Sequence, residues 1–377
     1  MGNGLKSRTT DLVSATNALT EVKIIMTRKE NGEEQVMVQQ TEQAFQVKQS
    51  PGEVVVEKKG AKKKPTTVEE LPGVGEATAH KLADAGYDTL EVIAVSLPAE
   101  LAEVAGIGEG TASKIINAAR EALDMGFETA DVVLERRKHI GRVTTGSKAL
   151  DELLGGGVQT QTITETYGRF SSGKSQLGFQ LCVNAQLPAG EGGLGGSVAF
   201  VDVEATFRPE RIVQIAKAKG LDPEQVLKNI HHARAHNSDH QTLLIDKLED
   251  IIKEKNIKLV VVDSLTSAFR ADYVGRGTLA ERQQKLNKHV HALQRLADVY
   301  NLAIYVTNQV MDRPDMLFGD PTAPVGGNIV AHVSGYRIYL RRSKEDRRIA
   351  KLVDSPDLPD NEVVFRVTED GLADLEE

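Results

Sequence analysis

One cysteine, Cys182, stands in 377 residues. That excludes an internal disulfide framework and suits a reducing compartment. No run of about 18 apolar residues occurs, so no membrane-spanning helix is expected. The N-terminus lacks the apolar core of a signal peptide. Lys6 occupies the position where a myristoylation pattern requires Ser or Thr. The expected location is therefore the cytoplasm. Positive charge is not in excess: the formal net charge is −8. This excludes a global basic field as the basis of nucleic-acid binding, although a groove needs only local charge. What the chain does have is 40% hydrophobic residues and a length that fits about two or three domains.

The most informative stretch is Gly168-Arg169-Phe170-Ser171-Ser172-Gly173-Lys174-Ser175. It fits the phosphate-loop pattern G-x-x-x-x-G-K-[ST]. An alternating segment before it, residues 162–167, predicts a strand, and the Pro-free residues 175–186 predict a helix. Strand, glycine loop and helix together are the context the motif requires. Glycines let the backbone wrap a phosphate, successive N–H groups form an anion nest, and the helix N-terminus adds partial positive charge. Lys174 is expected on the β- and γ-phosphates and the Ser175 hydroxyl on Mg²⁺. Gln176 follows directly and joins the expected nucleotide-binding set. Cys182, on the same helix, is expected in the core.

From Thr144 onward strands and helices alternate, which predicts an α/β domain with a mainly parallel sheet. Three strand ends carry polar groups: Asp202 with Glu204 after Val198-Ala199-Phe200-Val201, Asp263 after Leu259-Val260-Val261-Val262, and Asn308-Gln309 after Ala303-Ile304-Tyr305-Val306-Thr307. Ligands of open α/β sheets sit beyond the carboxyl ends of strands. Glu204, Asp263 and Gln309 are therefore expected to converge on the nucleotide held by Lys174. Asp263 suits a Mg²⁺-holding carboxylate, Glu204 is placed to polarise an attacking water, and the Gln309 amide to sense the γ-phosphate. Gly190-Glu191-Gly192-Gly193-Leu194-Gly195 matches G-x-G-x-x-G but precedes a strand, so no helix N-terminus receives a pyrophosphate and a dinucleotide site is rejected.

Residues 1–65 read as an N-terminal extension, a solvated and mobile tail with a basic linker or, as the alternative, an ordered appendage. It holds two short alternations about Glu30-Asn31-Gly32 that suggest a hairpin, a strand candidate at Val54-Val55-Val56, and a basic run through Lys64. Residues 66–125 read as a small all-helical domain. Leu71-Pro72-Gly73-Val74-Gly75 is echoed by Val104-Ala105-Gly106-Ile107-Gly108, with Gly73 and Gly106 33 residues apart. Such turns between helices resemble the paired helix-hairpin-helix module, whose exposed backbone N–H groups contact DNA phosphates without reading sequence. Gly73, Gly75, Gly106 and Gly108 are thus DNA-facing candidates. In the linker, residues 126–143, Phe127 is a large aromatic that needs a pocket in its own chain or in a neighbour. Two further segments are expected as functional loops: residues 270–277, with Arg270 and Arg276, and residues 311–328, with Arg313. The intervening 278–300 reads as a basic helix with Arg282, Lys285, Lys288 and Arg295.

These phrases, in this order, resemble the RecA-type strand-exchange recombinases, specifically the archaeal RadA branch and its eukaryotic relatives. Beyond the phosphate loop, the resemblance rests on Thr145-Gly146-Ser147-Lys148, Leu153-Leu154-Gly155-Gly156-Gly157, Phe207-Arg208-Pro209-Glu210-Arg211, Asp263-Ser264, Gly275-Arg276-Gly277, Asn308-Gln309-Val310 and Gly319-Asp320-Pro321. It covers residues 68–374. The implied architecture is a RecA-like ATPase core at residues 144–377, with a mainly parallel twisted sheet, behind the helix-hairpin-helix domain. The implied activity is DNA-dependent ATP hydrolysis, filament formation on single-stranded DNA, and homologous pairing and strand exchange in repair. ATP and Mg²⁺ are the implied cofactors. Single- and double-stranded DNA, further copies of the chain in filaments or rings, and recombination mediator proteins are the implied partners, with a nucleoid-associated location. Residue by residue, the resemblance implies Lys174, Glu204 and Gln309 in catalysis, with Arg211 near adenine. Asp320 and Pro324 would cap the ATP of an adjacent subunit and His332 would approach that γ-phosphate. Arg276 and Arg313 would lie along the DNA axis, and Phe127 and Ala130 would plug into a neighbour.

The chain departs from the family at several points. Ser171-Ser172 replaces a glycine-containing pair, Ala323 stands where a basic residue is common, and Ser343-Lys344-Glu345-Asp346 replaces a glycine-rich turn. Two other classes remain open on the sequence: a mediator paralogue that binds ATP without exchanging strands, and a ring-forming helicase-like or clock-type ATPase on the same core.

Overall fold

The computed structural model describes residues 64–275, 277–312 and 322–375, together with the backbone of short strands within residues 24–55. The chain divides into two compact units, Met1–Pro65 and Thr66–Glu377. In the first, Ile24–Arg28 pairs antiparallel with Glu34–Gln40, which pairs with Gln43–Gln46. The register Arg28↔Glu34 pairs two strands on either side of the turn expected at Glu30-Asn31-Gly32; that turn and Val56 lie outside the described residues, and Lys48–Ser50 pairs with Glu53–Val55.

The second unit begins with a helical lobe of α1 (Glu76–Asp84), α2 (Leu90–Ala94), α3 (Pro98–Ala105) and α4 (Glu109–Ala122). Its own core includes Leu82, Ile93, Leu101, Ile115 and Ile116. The two glycine phrases fold alike. Gly73 and Gly106 adopt φ of +92° and +67°, and Gly75 and Gly108 are the N-caps of α1 and α4. The first glycine of each pair supplies a left-handed turn that a side chain resists. The second leaves the first helical N–H groups uncovered by any capping side chain. Helix α5 (Ala130–Arg137) follows and buries none of its residues.

The ATPase-like core is a nine-stranded sheet. Its strands are β1 (Thr162–Tyr167), β2 (Ser197–Asp202), β3 (Ile230–Arg234), β4 (Ile257–Asp263), β5 (Ala303–Asn308), β6 (Tyr336–Arg342), β7 (Arg347–Asp354), β8 (Asn361–Thr368) and β9 (Gly371–Ala373). The spatial order is β3-β2-β4-β5-β1-β6-β7-β8-β9. Pairing is parallel from β3 through β6 and antiparallel thereafter. Strand β4 shows why its sequence is an unbroken apolar run. Leu259 and Val261 enter the core on one face and Val260 and Val262 the core on the other, as expected for a parallel strand covered on both sides.

One face carries α6 (Lys174–Asn184) and α7 (Pro209–Ala218), and the other carries α8 (Ser238–Asp246), α9 (Ser267–Asp272), α10 (Leu279–Tyr300) and α11 (Gly327–Val333). Gly178 lets α6 settle close to the sheet, because a Cβ there would stand 3.3 Å from the Tyr305 ring. Cys182 is fully buried on α6.

The chain end is tied back to the start of the core. The Asp374 carboxylate accepts from the Ser147 hydroxyl (2.5 Å) and from the N–H groups of Lys148 (2.9 Å) and Ala149 (3.0 Å), at the head of the short helix Lys148–Leu153. Partial burial disfavours its charge, but these donors outweigh burial and hold its pKa below the usual carboxylate value. Replacing Asp374 by alanine should therefore cost about 1 kcal/mol, the low end for a charged acceptor that is partly exposed. A depressed carboxylate stabilises above its unfolded pKa of about 4 and ceases to do so as pH falls through the folded value. Thermal melts should separate wild type from Asp374→Ala at pH 7 and converge towards pH 3. A gap that persists undiminished at pH 3 would show that packing, not the charge, is responsible.

Candidate nucleotide site and DNA-facing segments

The strand order places the carboxyl ends of β2, β4, β5 and β1 side by side, and a cleft of about 750 Å³ opens there. It is lined by the whole phosphate loop, Gly168 to Ser175, by Gln176, and by Glu204, Arg211, Asp263 and Gln309. The four groups read separately from three strand ends and one loop thus face one space.

The loop is shaped by contacts that only some residues tolerate. A Cβ on Gly168 would lie 2.1 Å from the Leu340 carbonyl oxygen, so glycine is required there. Gly173 adopts φ +104°. Ser171 also lies in the left-handed region, at φ +60°, a conformation costing a non-glycine residue about 1–2 kcal/mol. The replacement of a glycine-containing pair therefore has a backbone consequence at Ser171. The same holds in the turn between β6 and β7, where Glu345 adopts φ +55°.

The Lys174 ammonium donates to the carbonyls of Gly168 (2.9 Å) and Arg169 (3.1 Å). Burial pulls its pKa down, and the carboxylates of Asp263 and Glu204 oppose that shift. The start of α6 is braced from below by Tyr305, whose hydroxyl donates to the Lys174 carbonyl at 2.8 Å. Asp263 is nearly fully buried and accepts from Ser175 Oγ (2.6 Å), Thr206 Oγ1 (2.9 Å) and Thr307 Oγ1. Glu204 accepts from Gln309 Nε2 (2.6 Å) and from Ser264 Oγ (2.7 Å) on the same carboxylate oxygen. Arg211 is anchored by Gln176 Oε1 at 2.8 Å and by the carbonyls of Thr368 (2.6 Å) and Glu369. Arg169 pairs with Asp312 at 2.7 Å, and Phe170 projects almost fully exposed.

Other expected residues lie elsewhere. Pro324 and His332 do not line this cleft. Pro324 sits in the strand Thr322–Pro324, which pairs antiparallel with Val310–Asp312, and His332 is exposed on α11. The long loop expected from residue 311 thus starts and ends as a two-stranded ladder. Arg270 is in the last turn of α9 rather than in a loop. Phe269 buries there, and the Asp272 carboxylate binds the Ser238 N–H at 2.7 Å, so the helix extends to Asp272. Arg276, Arg313 and Asp320 lie outside the described residues. Phe127 is fully exposed and Ala130 is exposed at the head of α5, so Phe127 has no pocket among the described residues of its own chain.

Three of the four cations expected on the basic face of α10 are engaged in ion pairs. Arg295 pairs with Glu100 (3.3 Å) and Glu249 (3.6 Å), Lys288 with Glu100 (3.7 Å), and Lys285 with Asp239 (3.0 Å). Arg295 and Lys288 thus join the helical lobe to the core.

The sequence reading missed a buried polar network beside the cleft. Asn308 is fully buried. Its Nδ2 donates to Glu165 Oε1 and to the Val325 carbonyl, both at 2.7 Å, and its Oδ1 accepts from Thr266 Oγ1 at 2.6 Å. Glu165, also fully buried, pairs with Arg337 Nε at 2.7 Å. Asn308 was visible as the neighbour of Gln309, but its partners come from three separate segments that only the fold brings together.

Comparison with known proteins completes the assignment. Residues 136–375 match the Rad51 family model, and residues 66–121 match the SAM-like helix-hairpin-helix tandem. The chain is 54% identical over 317 residues to the DNA repair and recombination protein RadA of Metallosphaera sedula, covering 84% of this chain and 98% of that protein. It is 53% identical over 309 residues to the protein of the same name from Aeropyrum pernix, covering 82% and 97%. The phosphate-loop cleft at the carboxyl ends of the parallel strands, the helical lobe before it and this extent of identity lead to one conclusion: the chain belongs to the Rad51 family, in its archaeal RadA branch.

Proposed function

We propose that this chain is a DNA-dependent ATPase that forms helical filaments on single-stranded DNA and catalyses homologous pairing and strand exchange in DNA repair. The observation that carries the reading is the convergence of Lys174 and Ser175, Glu204 with Gln309, and Asp263 on one cleft. The names of the relatives point the same way.

The loop N–H groups and Lys174 hold the phosphates, and Arg211 lies towards the base. Ser175 and the buried Asp263 offer a hydroxyl and a carboxylate oxygen in contact, which suits a hard cation that completes its shell with phosphate oxygens and water. We assign Mg²⁺ to them, and it would neutralise charge on the phosphates. Glu204 acts as the base that orients water. Its bond to Gln309 makes that amide the group able to turn between carboxylate and γ-phosphate. The Gln309 backbone carbonyl accepts from the Val325 N–H at 2.9 Å, and the residue leads into the Val310–Asp312 strand, so the sensing residue is joined through its backbone to the base of the long loop. The helical lobe, through Gly73, Gly75, Gly106 and Gly108, and the segments of Arg270, Arg276 and Arg313 supply DNA contacts. Single- and double-stranded DNA, further copies of the chain and mediator proteins are the partners. Among the described residues no helix is long and apolar enough to cross a membrane. We place the protein in the cytoplasm with the nucleoid.

The direct test is a strand-exchange reaction between circular single-stranded DNA and a homologous linear duplex. With ATP and Mg²⁺ the purified chain should yield joint molecules, and none with a non-homologous duplex. ATP binding without joint molecules would instead indicate a mediator. Self-association is tested at Phe127, whose full exposure is unusual for a large aromatic. A buried aromatic anchor commonly contributes about 2 kcal/mol or more to an interface. Phe127→Ala should shift long oligomers to small species in light scattering with an unchanged melting temperature. Early melting with polymers intact would overturn its role as an anchor between subunits.

A further inference from the structure

Besides the loop and the parallel strand ends, the antiparallel extension of the sheet contributes an arginine to the nucleotide cleft. Arg348 comes from β7, far along the chain from the phosphate loop, yet it lines the same cleft. Its stem packs against Gly173. A Cβ built there would lie 3.5 Å from Arg348 Cγ and 3.8 Å from its Nε.

The hydrogen bonding of this arginine is incomplete. Nη1 donates to the carbonyls of Arg347 (2.9 Å) and Glu345 (3.4 Å). The Nε is buried and has no partner. A buried donor left unmade is costly unless something else satisfies it. The charge is unbalanced as well. Arg342 stands directly opposite Arg348 in the β6–β7 register, and like charges facing each other across a ladder destabilise it. Asp346, the carboxylate whose field reaches Arg348, bonds Arg366 at 2.7 Å instead. No ion pair joins Arg342 or Arg348 to an acid among the described residues. Arg348 is thus held beside a phosphate-binding loop with an unused buried N–H, and a second arginine stands opposite it in the ladder. An anionic oxygen at the loop would satisfy that donor and relieve the repulsion.

We propose that Arg348 is a phosphate-binding residue of the same subunit's nucleotide site, contacting the phosphate chain from the β7 side of the loop while Lys174 contacts it from within. The inference rests on the cleft being the nucleotide site. It assigns a side chain that the loop motif cannot reveal, since only the register of the antiparallel extension brings Arg348 to Gly173.

The test is equilibrium binding of N-methylanthraniloyl-labelled ATP, ADP and adenosine to wild type, Arg348→Met and Arg348→Lys, with thermal melts of each. Arg348→Met should bind ATP and ADP at least about tenfold more weakly, the usual range for a charge-assisted hydrogen bond. Adenosine should change by less than about twofold, and Arg348→Lys should recover part of the loss. Unchanged ATP affinity in Arg348→Met would overturn the proposal. So would an equal loss for adenosine and ATP, which would mean that the arginine only supports the loop. If wild type itself fails to bind ATP, the nucleotide-site reading falls first. If wild type binds and the variants do not differ from it, only the role of Arg348 falls.

Discussion

Lys174→Ala is expected to leave a folded protein whose ATP hydrolysis, with or without single-stranded DNA, is slower by at least about 100-fold. The ammonium lies at the mouth of the loop, bonded to the Gly168 and Arg169 carbonyls. Those carbonyls are backbone groups of a cleft open to solvent, so water replaces the lost donor and stability changes little. The transition state has no such substitute. Charge spreading over the transferred phosphoryl group requires a fixed cation, and a loss of about 100-fold corresponds to roughly 2.7 kcal/mol. The Asp263 and Glu204 carboxylates that favour the charged lysine line the same cleft, so removing the ammonium deletes the cation that offsets them at the loop and weakens the hold on the triphosphate as well. Phosphate release measured on purified protein, with a melting curve as control, decides the matter. Turnover within about twofold of wild type in a folded variant would end the assignment of this cleft as the site of hydrolysis.

The second large effect comes from mixing two inactive variants. Lys174, Glu204, Asp263 and Gln309 share one cleft, while Pro324 and His332 lie outside it. His332 is exposed on α11 and Phe127 is exposed in the linker. Exposed groups of this kind fit the filament proposed above, in which a site is completed by the next subunit. Head-to-tail interfaces generate open filaments, and in the filament proposed here each contact would pair one subunit's Lys174 with its neighbour's His332. Lys174→Ala and His332→Ala are each expected to be nearly inactive alone. In an equimolar random mixture about a quarter of the interfaces have both residues intact, from the one favourable orientation. Activity should rise towards that fraction of wild type. A flat titration, with co-assembly verified by crosslinking, would mean that both residues serve one chain's ATP.

Much of this site was legible in the sequence because its physics is local. A phosphate loop announces itself by glycines that the backbone cannot replace, and Gly168, pressed against the Leu340 carbonyl, shows why. The strand ends at Asp202, Asp263 and Asn308 were legible because a strand buried on both faces must be apolar until it stops. The convergence of Glu204 and Gln309 required only that their strands be near neighbours. What escaped the sequence depends on register and on tertiary pairing. The Glu165–Arg337 pair joins residues 172 apart in sequence, and no local pattern marks either as buried. Arg348 reaches the loop only because β6, β7 and β8 continue the sheet antiparallel. Arg295 read as part of a basic face, whereas Glu100 and Glu249 engage it between the lobe and the core. Arg270 read as a loop residue because the glycines after it drew the boundary too early, and the burial of Phe269 carried the helix past it.

The central claim is that nucleotide bound at this cleft organises the chain into filaments on single-stranded DNA. Negative-stain electron microscopy of the purified protein with long single-stranded DNA, Mg²⁺ and a non-hydrolysable ATP analogue tests it most directly. The account predicts helical filaments that run the length of the DNA, that fail to form without nucleotide, and that are lost with Phe127→Ala. Closed rings with no DNA-length filaments, whatever nucleotide is present, would contradict it.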